Sequence, residues 1–149
     1  MAEILKKVDI FTDGACSGNP GAGGFATILR YNGVEKVISG GEAQTTNNKM
    51  ELMAVISALE ALKTRCDVTI YTDSKYVVDG ITLGWAESWR AKGWKKKDGK
   101  PAKNPDLWDK LLNLISAHKV QFVWIKGHAG HPENERCDSI AVAESEKFK

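Results

Sequence analysis

The hydrophobic pattern of this chain changes its period near residue 45. Before that point, three short apolar runs are separated by turn signals, of which Asn32-Gly33 is a strong two-residue hairpin signal. After it, apolar residues recur at helical spacing and alternate with two further apolar runs. A meander followed by alternating helices and strands implies a mixed α/β fold: an antiparallel 1-2-3 meander joined to parallel strands 4 and 5, with helices on both faces.

The predicted strands cover residues 8–12, 24–30, 36–39, 68–72 and 120–125. The glycine-rich stretch from Gly14 to Gly24 is predicted as a loop or turn. Helices are expected within residues 45–63, at about 74–81, around Trp85 and Trp89, from Pro105 onward and over residues 135–146. No repeat or linker interrupts this order, so we expect one domain over residues 1–149.

The cysteines and the N-terminal segment indicate the cellular compartment in which the protein is expected. Cys16, Cys66 and Cys137 are far apart and not in CxxC spacing, so neither a zinc site nor a disulfide framework is expected. The first residues lack the apolar core of a secretory signal, and no apolar run approaches the roughly 20 residues of a membrane helix. These observations favour a cytoplasmic protein without membrane association, and we expect a monomer without an obligate protein partner.

Positive charge is concentrated in one segment. Residues 90–103 contain seven lysine or arginine residues and one aspartate, which leaves −4 for the remainder of a chain whose formal charge is +2. Glycine and proline in this segment favour a helix end and a loop over a regular element. A mildly acidic body with one basic protrusion, at about residues 90–104, favours a polyanionic partner at that face.

Two predicted strands end in the same dipeptide, Thr-Asp. Asp13 follows the first strand and Asp73 follows the fourth. Ligands of mixed α/β sheets bind beyond the carboxyl ends of the parallel strands, which is where both aspartates lie if these two strands are neighbours. Taken singly, each has a simpler explanation: Asp13 as part of an Asp-Gly turn, and Asp73 as a helix N-cap.

Two further carboxylates are predicted at the same edge. Glu51 is expected in the first turn of the first helix, off its apolar stripe, and Asp138 in the first turn of the last helix. The helix dipole alone could favour either. Four converging carboxylates would repel one another unless a divalent cation neutralised them. Oxygen ligands favour Mg²⁺, with Mn²⁺ as a possible substitute, and two such ions can activate water against a phosphodiester.

A histidine near metal-bound water could transfer a proton near neutral pH. His128 lies between glycine residues in a predicted loop just before the helix of Asp138. A single loop histidine is also commonly a solvated bystander, so sequence alone leaves both interpretations open.

The order and spacing of four motifs resemble the signature blocks of type 1 ribonuclease H, and of its bacterial single-domain members most closely. The motifs are TDGACSGNPG, TNNKMEL, TDSKYV and KGHAGHPENERCD, with the basic GWKKKDGKPAKNPDLW stretch in the expected gap. The resemblance covers essentially the whole chain. It implies the ribonuclease H-like fold and endonucleolytic hydrolysis of the RNA strand of an RNA–DNA hybrid, which leaves 5′-phosphate ends.

The resemblance also implies roles for single positions. Asp13, Glu51, Asp73 and Asp138 match the metal-binding carboxylates, His128 matches a loop histidine that assists proton transfer or product release, and Asn134 supports that loop. The positions that match substrate contacts are Cys16, Asn19, Thr46, Asn47, Asn48 and Lys75. Lys75 departs from the family pattern, because many relatives have glutamine there, which puts one minor-groove contact in doubt.

The basic protrusion is expected to hold the DNA strand. Trp85 and Trp89, beside Lys95, Lys96 and Lys97, could line that groove, although their helical spacing equally allows them to anchor the protrusion to the core. RNA is distinguished by its 2′-hydroxyls, and phosphate contacts give little sequence preference. Two alternatives stay open at this stage: a DNA-processing nuclease on the same fold, and a hybrid-binding module without catalysis.

Overall fold

A five-stranded mixed sheet in the order β3-β2-β1-β4-β5 organises the chain. β1 (Lys6–Gly18), β2 (Gly21–Tyr31) and β3 (Val34–Thr45) form an antiparallel meander. β4 (Cys66–Thr72) pairs parallel with β1, and β5 (Lys119–Trp124) pairs parallel with β4. This computed structural model describes residues 4–126 and 131–149. The predicted fold class is confirmed, and the first and fourth strands are neighbours, which was the condition for placing Asp13 and Asp73 together.

Within the described residues, five helices connect and cover the strands: α1 (Asn47–Glu60), α2 (Lys75–Thr82), α3 (Trp85–Ala91), α4 (Pro105–Ser116) and α5 (Pro132–Glu146). α1 begins after the N-cap residue Thr46, whose hydroxyl accepts the N–H of Lys49 at 3.2 Å. α2 begins after Ser74, which caps it in the same way through the N–H of Val77. Because Ser74 is the N-cap residue, capping does not explain the aspartate at position 73.

The two faces of the sheet bury separate apolar clusters, since successive strand residues point to opposite sides. Ile10 of β1 lies in the larger cluster, with α1 and α4, and the indole of Trp108 is fully buried there. Phe11, the next residue, packs with Cys137 and Ala141 of α5 on the other face. Helices therefore cover both faces, as predicted.

The prediction of a loop from Gly14 to Gly24 is wrong. β1 continues to Gly18 and β2 resumes at Gly21, so that only a tight turn separates them. Gly14 and Gly24 are needed because the backbones of other elements approach the sheet closely there. A Cβ at Gly24, for example, would lie 2.2 Å from the carbonyl oxygen of Ala141 in α5. None of the helices within the described residues is long and apolar enough to cross a membrane.

Candidate active site

Three carboxylates from three different elements meet at the carboxyl end of the paired strands β1 and β4. Asp13, Glu51 and Asp73 each place an oxygen within 4.8 Å of the other two. The parallel pairing of β1 and β4 ends at Phe11 and Tyr71, so Asp13 and Asp73 both lie two residues beyond it. Neighbouring parallel strands thus bring these aspartates to the same edge, and α1 places Glu51 above them.

The main chain of Gly14 holds two of these carboxylates together. Its N–H donates to Oδ1 of Asp13 at 2.9 Å and to Oε1 of Glu51 at 3.1 Å. A Cβ at position 14 would lie 2.6 Å from the backbone nitrogen of Glu51, so α1 can approach β1 this closely only over a glycine. Sequence reasoning missed this residue because an Asp-Gly pair is typical of a turn.

The expected placement of Glu51 is wrong in two respects. It is the fifth residue of α1, beyond the first turn, and its residue is only 3% exposed. The side chain faces the sheet because Glu51 lies one helical turn before the buried Val55 and therefore shares its side of α1. Its Oε2 atom is buried and has no hydrogen-bond partner among the described residues. A buried carboxylate oxygen without a partner fits a ligand atom for a bound cation.

The electrostatics of the cluster favour uptake of positive charge. Burial, and then the negative charge of Asp73, raise the pKa of Asp13 from 3.8 to about 7. Burial, followed by the charges of Asp13 and Asp73, raises the pKa of Glu51 well above its usual 4.5. Protons or a divalent cation can relieve this repulsion, and near neutral pH a cation relieves it more completely because it interacts with all three groups.

Asp138 belongs to the same cavity but lies outside the compact group of three. It is the seventh residue of α5, because the helix begins at Pro132, three residues earlier than predicted; the expectation of a first-turn position is therefore wrong. The cavity, of about 360 Å³, is lined by Asp138 together with the three clustered carboxylates. The charge of Asp138 contributes to the raised pKa of Asp13, which indicates an electrostatic connection between them.

The start of α5 is tied to the sheet. Arg30 of β2 pairs with Glu133 at 3.2 Å, and Cys137 is buried against β1 and β2. Asn134, in the first turn, is also buried, and its Nδ2 atom has no partner within residues 4–126 and 131–149. The expected role of His128 cannot be placed, because residue 128 lies outside the described residues.

Polar residues predicted to contact substrate surround the carboxylates. Asn47, Asn48 and Lys75 line the acidic cavity. Asn19, in the turn between β1 and β2, accepts the N–H of Asn47 through Oδ1 at 3.1 Å. The half-buried Cys16 lies next to this turn, where its thiol is 3.4 Å from the carbonyl oxygen of Thr45.

Two more cavities lead from the carboxylates to the basic protrusion. The first, of about 560 Å³, shares Asn48 and Tyr76 with the acidic cavity. The second, of about 370 Å³, shares Trp85, Trp89 and Lys96 with the first. Together they form what we call the basic groove, lined by Asn48, Tyr76, Trp85, Ser88, Trp89, Lys92, Lys96, Lys97, Lys100, Pro101 and Lys103. Sequence reasoning missed Tyr76, which joins the acidic cavity to this groove.

Both tryptophans line the basic groove, and one of them also packs against the core. Trp89 packs edge-on against the buried Trp108, with ring centroids 6.1 Å apart, so it anchors α3 to the core. Trp85 is 44% exposed and lies 6.4 Å from Trp89, centroid to centroid. Lys95 to Lys97 are exposed, and the backbone of Lys95 forms an isolated bridge with Pro101 that closes the protrusion.

Comparison with known proteins gives independent evidence on the family and the fold of this chain. The family model described as RNase H matches residues 5–146. The chain is 61% identical over 147 residues to the Ribonuclease H of Rippkaea orientalis, and the aligned region covers 99% of this chain and 90% of the relative. Among solved structures, it is similar to LC9-RNase H1, a type 1 RNase H, with a TM-score of 0.87 and 33% identity over 100% of this chain and 76% of the other. LC11-RNase H1 in complex with RNA/DNA hybrid shares the fold, with a TM-score of 0.71 and 24% identity over 94% and 97% of the respective chains.

Proposed function

The chain belongs to the RNase H family, and from this premise we propose that Asp13, Glu51, Asp73 and Asp138 form the metal-binding active site with which it hydrolyses the RNA strand of RNA–DNA hybrids. The observation that supports this assignment most strongly is the cluster of three carboxylates within 4.8 Å. The Oε2 atom of Glu51, which has no hydrogen-bond partner in the described part of the chain, supports it as a second observation.

The residues fit divalent cations that prefer oxygen ligands. We propose Mg²⁺ as the natural ion, with Mn²⁺ able to replace it, because the described cluster contains only carboxylates and neither histidine nor cysteine. Asp13, Glu51, Asp73 and Asp138 would hold a pair of these ions. When bound, the ions supply the Lewis acidity that activates water and neutralises the leaving oxygen of a phosphodiester, with a 5′-phosphate on the product.

The protein prepares the site before any ion binds. Gly14 fixes the carboxylates of Asp13 and Glu51 through its single N–H, so that little reorganisation is needed on binding. Burial of Glu51 excludes water from one side of the site. We further propose that His128 transfers a proton or assists product release and that Asn134 supports its loop; the family resemblance is the basis of this part.

The hybrid would lie across the acidic cavity and the basic groove. We propose that the RNA strand contacts Asn19, Asn47, Asn48 and Cys16, where amide groups and turn N–H groups can recognise 2′-hydroxyls. Thr46 would belong to a pocket that holds a phosphate of the DNA strand. The DNA strand would follow the basic groove, where lysines neutralise phosphates and Trp85 offers an exposed ring. The structural relative LC11-RNase H1, which was solved with an RNA/DNA hybrid, supports the choice of duplex.

We also propose that residues 1–149 act as one domain and as a monomer, without an obligate protein partner, in the cytoplasm. The continuous sheet, with apolar clusters on both of its faces, supports the single domain.

The test is a cleavage assay on three matched substrates: an RNA–DNA hybrid, duplex DNA and duplex RNA, each with and without Mg²⁺. We expect cleavage of the hybrid alone, on its RNA strand, and only with the metal. Preference for duplex DNA would support a DNA-processing nuclease instead. Tight hybrid binding without turnover in Mg²⁺ would indicate a binding module.

A further inference from the structure

We propose that Trp124 is a positioning residue that fixes the main chain of Asp73 and thereby the direction of its carboxylate. This inference rests on the proposed role of Asp73 as a metal ligand. Trp124 is the last residue of β5 and is 44% exposed. An exposed tryptophan contributes little to core packing, so the specific hydrogen bond of its indole indicates a role in positioning the neighbouring site.

The indole of Trp124 adds one hydrogen bond between the ends of β5 and β4, one residue beyond the last backbone hydrogen bond of these strands. Thr72 lies opposite Trp124 in the register of these strands, and the N–H of Ile125 donates to the carbonyl oxygen of Thr72 at 2.9 Å. β4 ends there, and α2 begins only at Lys75. The indole Nε1–H donates to the carbonyl oxygen of Asp73 at 3.1 Å, so it holds the segment that follows the strand.

The peptide unit between Asp73 and Ser74 is bonded at both of its ends. Its C=O accepts the indole N–H of Trp124, and its N–H donates to Oγ1 of Thr72 at 3.1 Å. Two hydrogen bonds from opposite ends fix the rotation of a peptide plane. Because this plane adjoins the Cα atom of Asp73, its orientation fixes the main-chain position from which the side chain of Asp73 extends.

A cation holds the indole ring itself. Nζ of Lys75 lies 4.9 Å from the centroid of the Trp124 ring, within the range of a cation–π interaction. Lys75 also lines the acidic cavity, so its position depends on both the carboxylates and the ring. The contact restrains the exposed ring in the orientation that directs its N–H to Asp73.

Loss of the indole N–H should therefore affect the metal site and not hybrid binding. A small displacement of a ligand carboxylate weakens metal binding and misplaces the reacting groups. Trp124 does not line the basic groove described above, so the KM for the hybrid should stay close to its wild-type value. A residue with a purely structural role would lower stability without this selective effect.

The experiment compares two replacements that remove the N–H donor. Trp124→Phe keeps an aromatic face, and 3-benzothienylalanine at position 124 keeps the ring size with sulfur in place of N–H. The matched control is Gln121→Met, which removes another side-chain hydrogen bond between β5 and β4, from Gln121 Nε2 to Thr69 Oγ1 at 3.0 Å. Mg²⁺ binding is measured by isothermal titration of the protein without substrate, and kcat and KM are measured on the hybrid.

We expect both replacements at position 124 to weaken Mg²⁺ binding and to lower kcat by roughly three- to tenfold, as suits one neutral hydrogen bond. KM should stay the same, and the control should bind Mg²⁺ like the wild type. Unchanged Mg²⁺ affinity in Trp124→Phe would overturn the inference. So would an equal loss in the control, or a loss in the Phe variant that the isostere does not share. Failure of the proposed function is a separate result, since the wild type itself would then not cleave the hybrid.

Discussion

The main-chain N–H of Gly14 lies 3.1 Å from Oε1 of Glu51, although the two residues are 37 positions apart in sequence. This hydrogen bond connects β1 to α1 at the place where the carboxylates meet. The same N–H also bonds Asp13, so one glycine orients two of the proposed metal ligands. Main-chain atoms therefore help to position the carboxylates of the site. Substitution of a residue without a functional side chain, such as Gly14, can disturb it.

Gly14→Ala should lower kcat by about a hundredfold or more, because the new Cβ would lie 2.6 Å from the backbone nitrogen of Glu51 and would push α1 away from β1. Overpacking at this contact should also cost roughly 1–3 kcal/mol of stability. Steady-state kinetics and thermal unfolding measure the two effects. Gly33→Ala is the control: it has no atom within 4 Å of its Cβ and a positive φ, so it should lose stability without losing kcat.

Asp13→Asn should abolish cleavage and at the same time stabilise the metal-free protein at pH 8. The substitution removes a buried charge that repels Glu51 and Asp73. We expect a gain on the order of 2 kcal/mol, since each pKa unit corresponds to about 1.4 kcal/mol and the two remaining carboxylates still repel each other. Chemical denaturation in EDTA measures the gain. A variant that is less stable than the wild type would show that the Asp13 carboxylate is structural.

The stability of the metal-free protein should depend on pH through the same groups. The folded-state pKa of Asp13, about 7, exceeds its usual 3.8, so the folded state binds more protons than the unfolded state between these values. With respect to this group, stability is therefore greatest below pH 3.8 and is lost as the pH rises from there through about 7. Glu51 contributes in the same direction.

Saturating Mg²⁺ should restore much of the stability that is lost at high pH, because it stabilises only the folded state. Unfolding curves between pH 5 and 9, with EDTA and with Mg²⁺, test both statements. Equal stability at all these pH values without metal would contradict the assigned repulsion. In Asp13→Asn the pH dependence should be markedly smaller.

Neutralising Lys95, Lys96 and Lys97 together, each to glutamine, should raise the KM for the hybrid and reduce its salt dependence, with kcat nearly unchanged. Each phosphate contact that is lost lowers the slope of log affinity against log salt by about 0.9, so three contacts would lower it by roughly 2 to 3. The matched control replaces Lys6, Lys36 and Lys63, which line a separate cavity beside Tyr31 and Cys66. If both triple variants change the slope equally, net charge and not the basic protrusion determines binding.

The order of the elements could be predicted from sequence because the change in hydrophobic period is a local property. The glycine-rich stretch could not. Gly14 and Gly24 look like loop residues, but they are needed because α1 and α5 pass close to the sheet, which is a tertiary relationship. β1 consequently extends to Gly18, well beyond its apolar residues.

The candidate site was predictable to a similar extent. Asp13 and Asp73 each follow a run of apolar residues, and the parallel pairing of β1 with β4 brings the ends of these two runs together. The burial of Glu51 could not be predicted from the helical pattern alone, because it depends on how closely α1 packs over Gly14 of β1. Tyr76 and Trp124 have no local signal, since their roles arise only from contacts between distant segments.

The most direct test of the central claim is a crystal structure of the wild-type protein grown with Mn²⁺ and analysed by anomalous scattering. We expect a metal peak in contact with Asp13, Asp73 and the Oε2 atom of Glu51, and loss of that peak in Asp13→Asn. Well-ordered crystals in millimolar Mn²⁺ without a peak between these three carboxylates would contradict it.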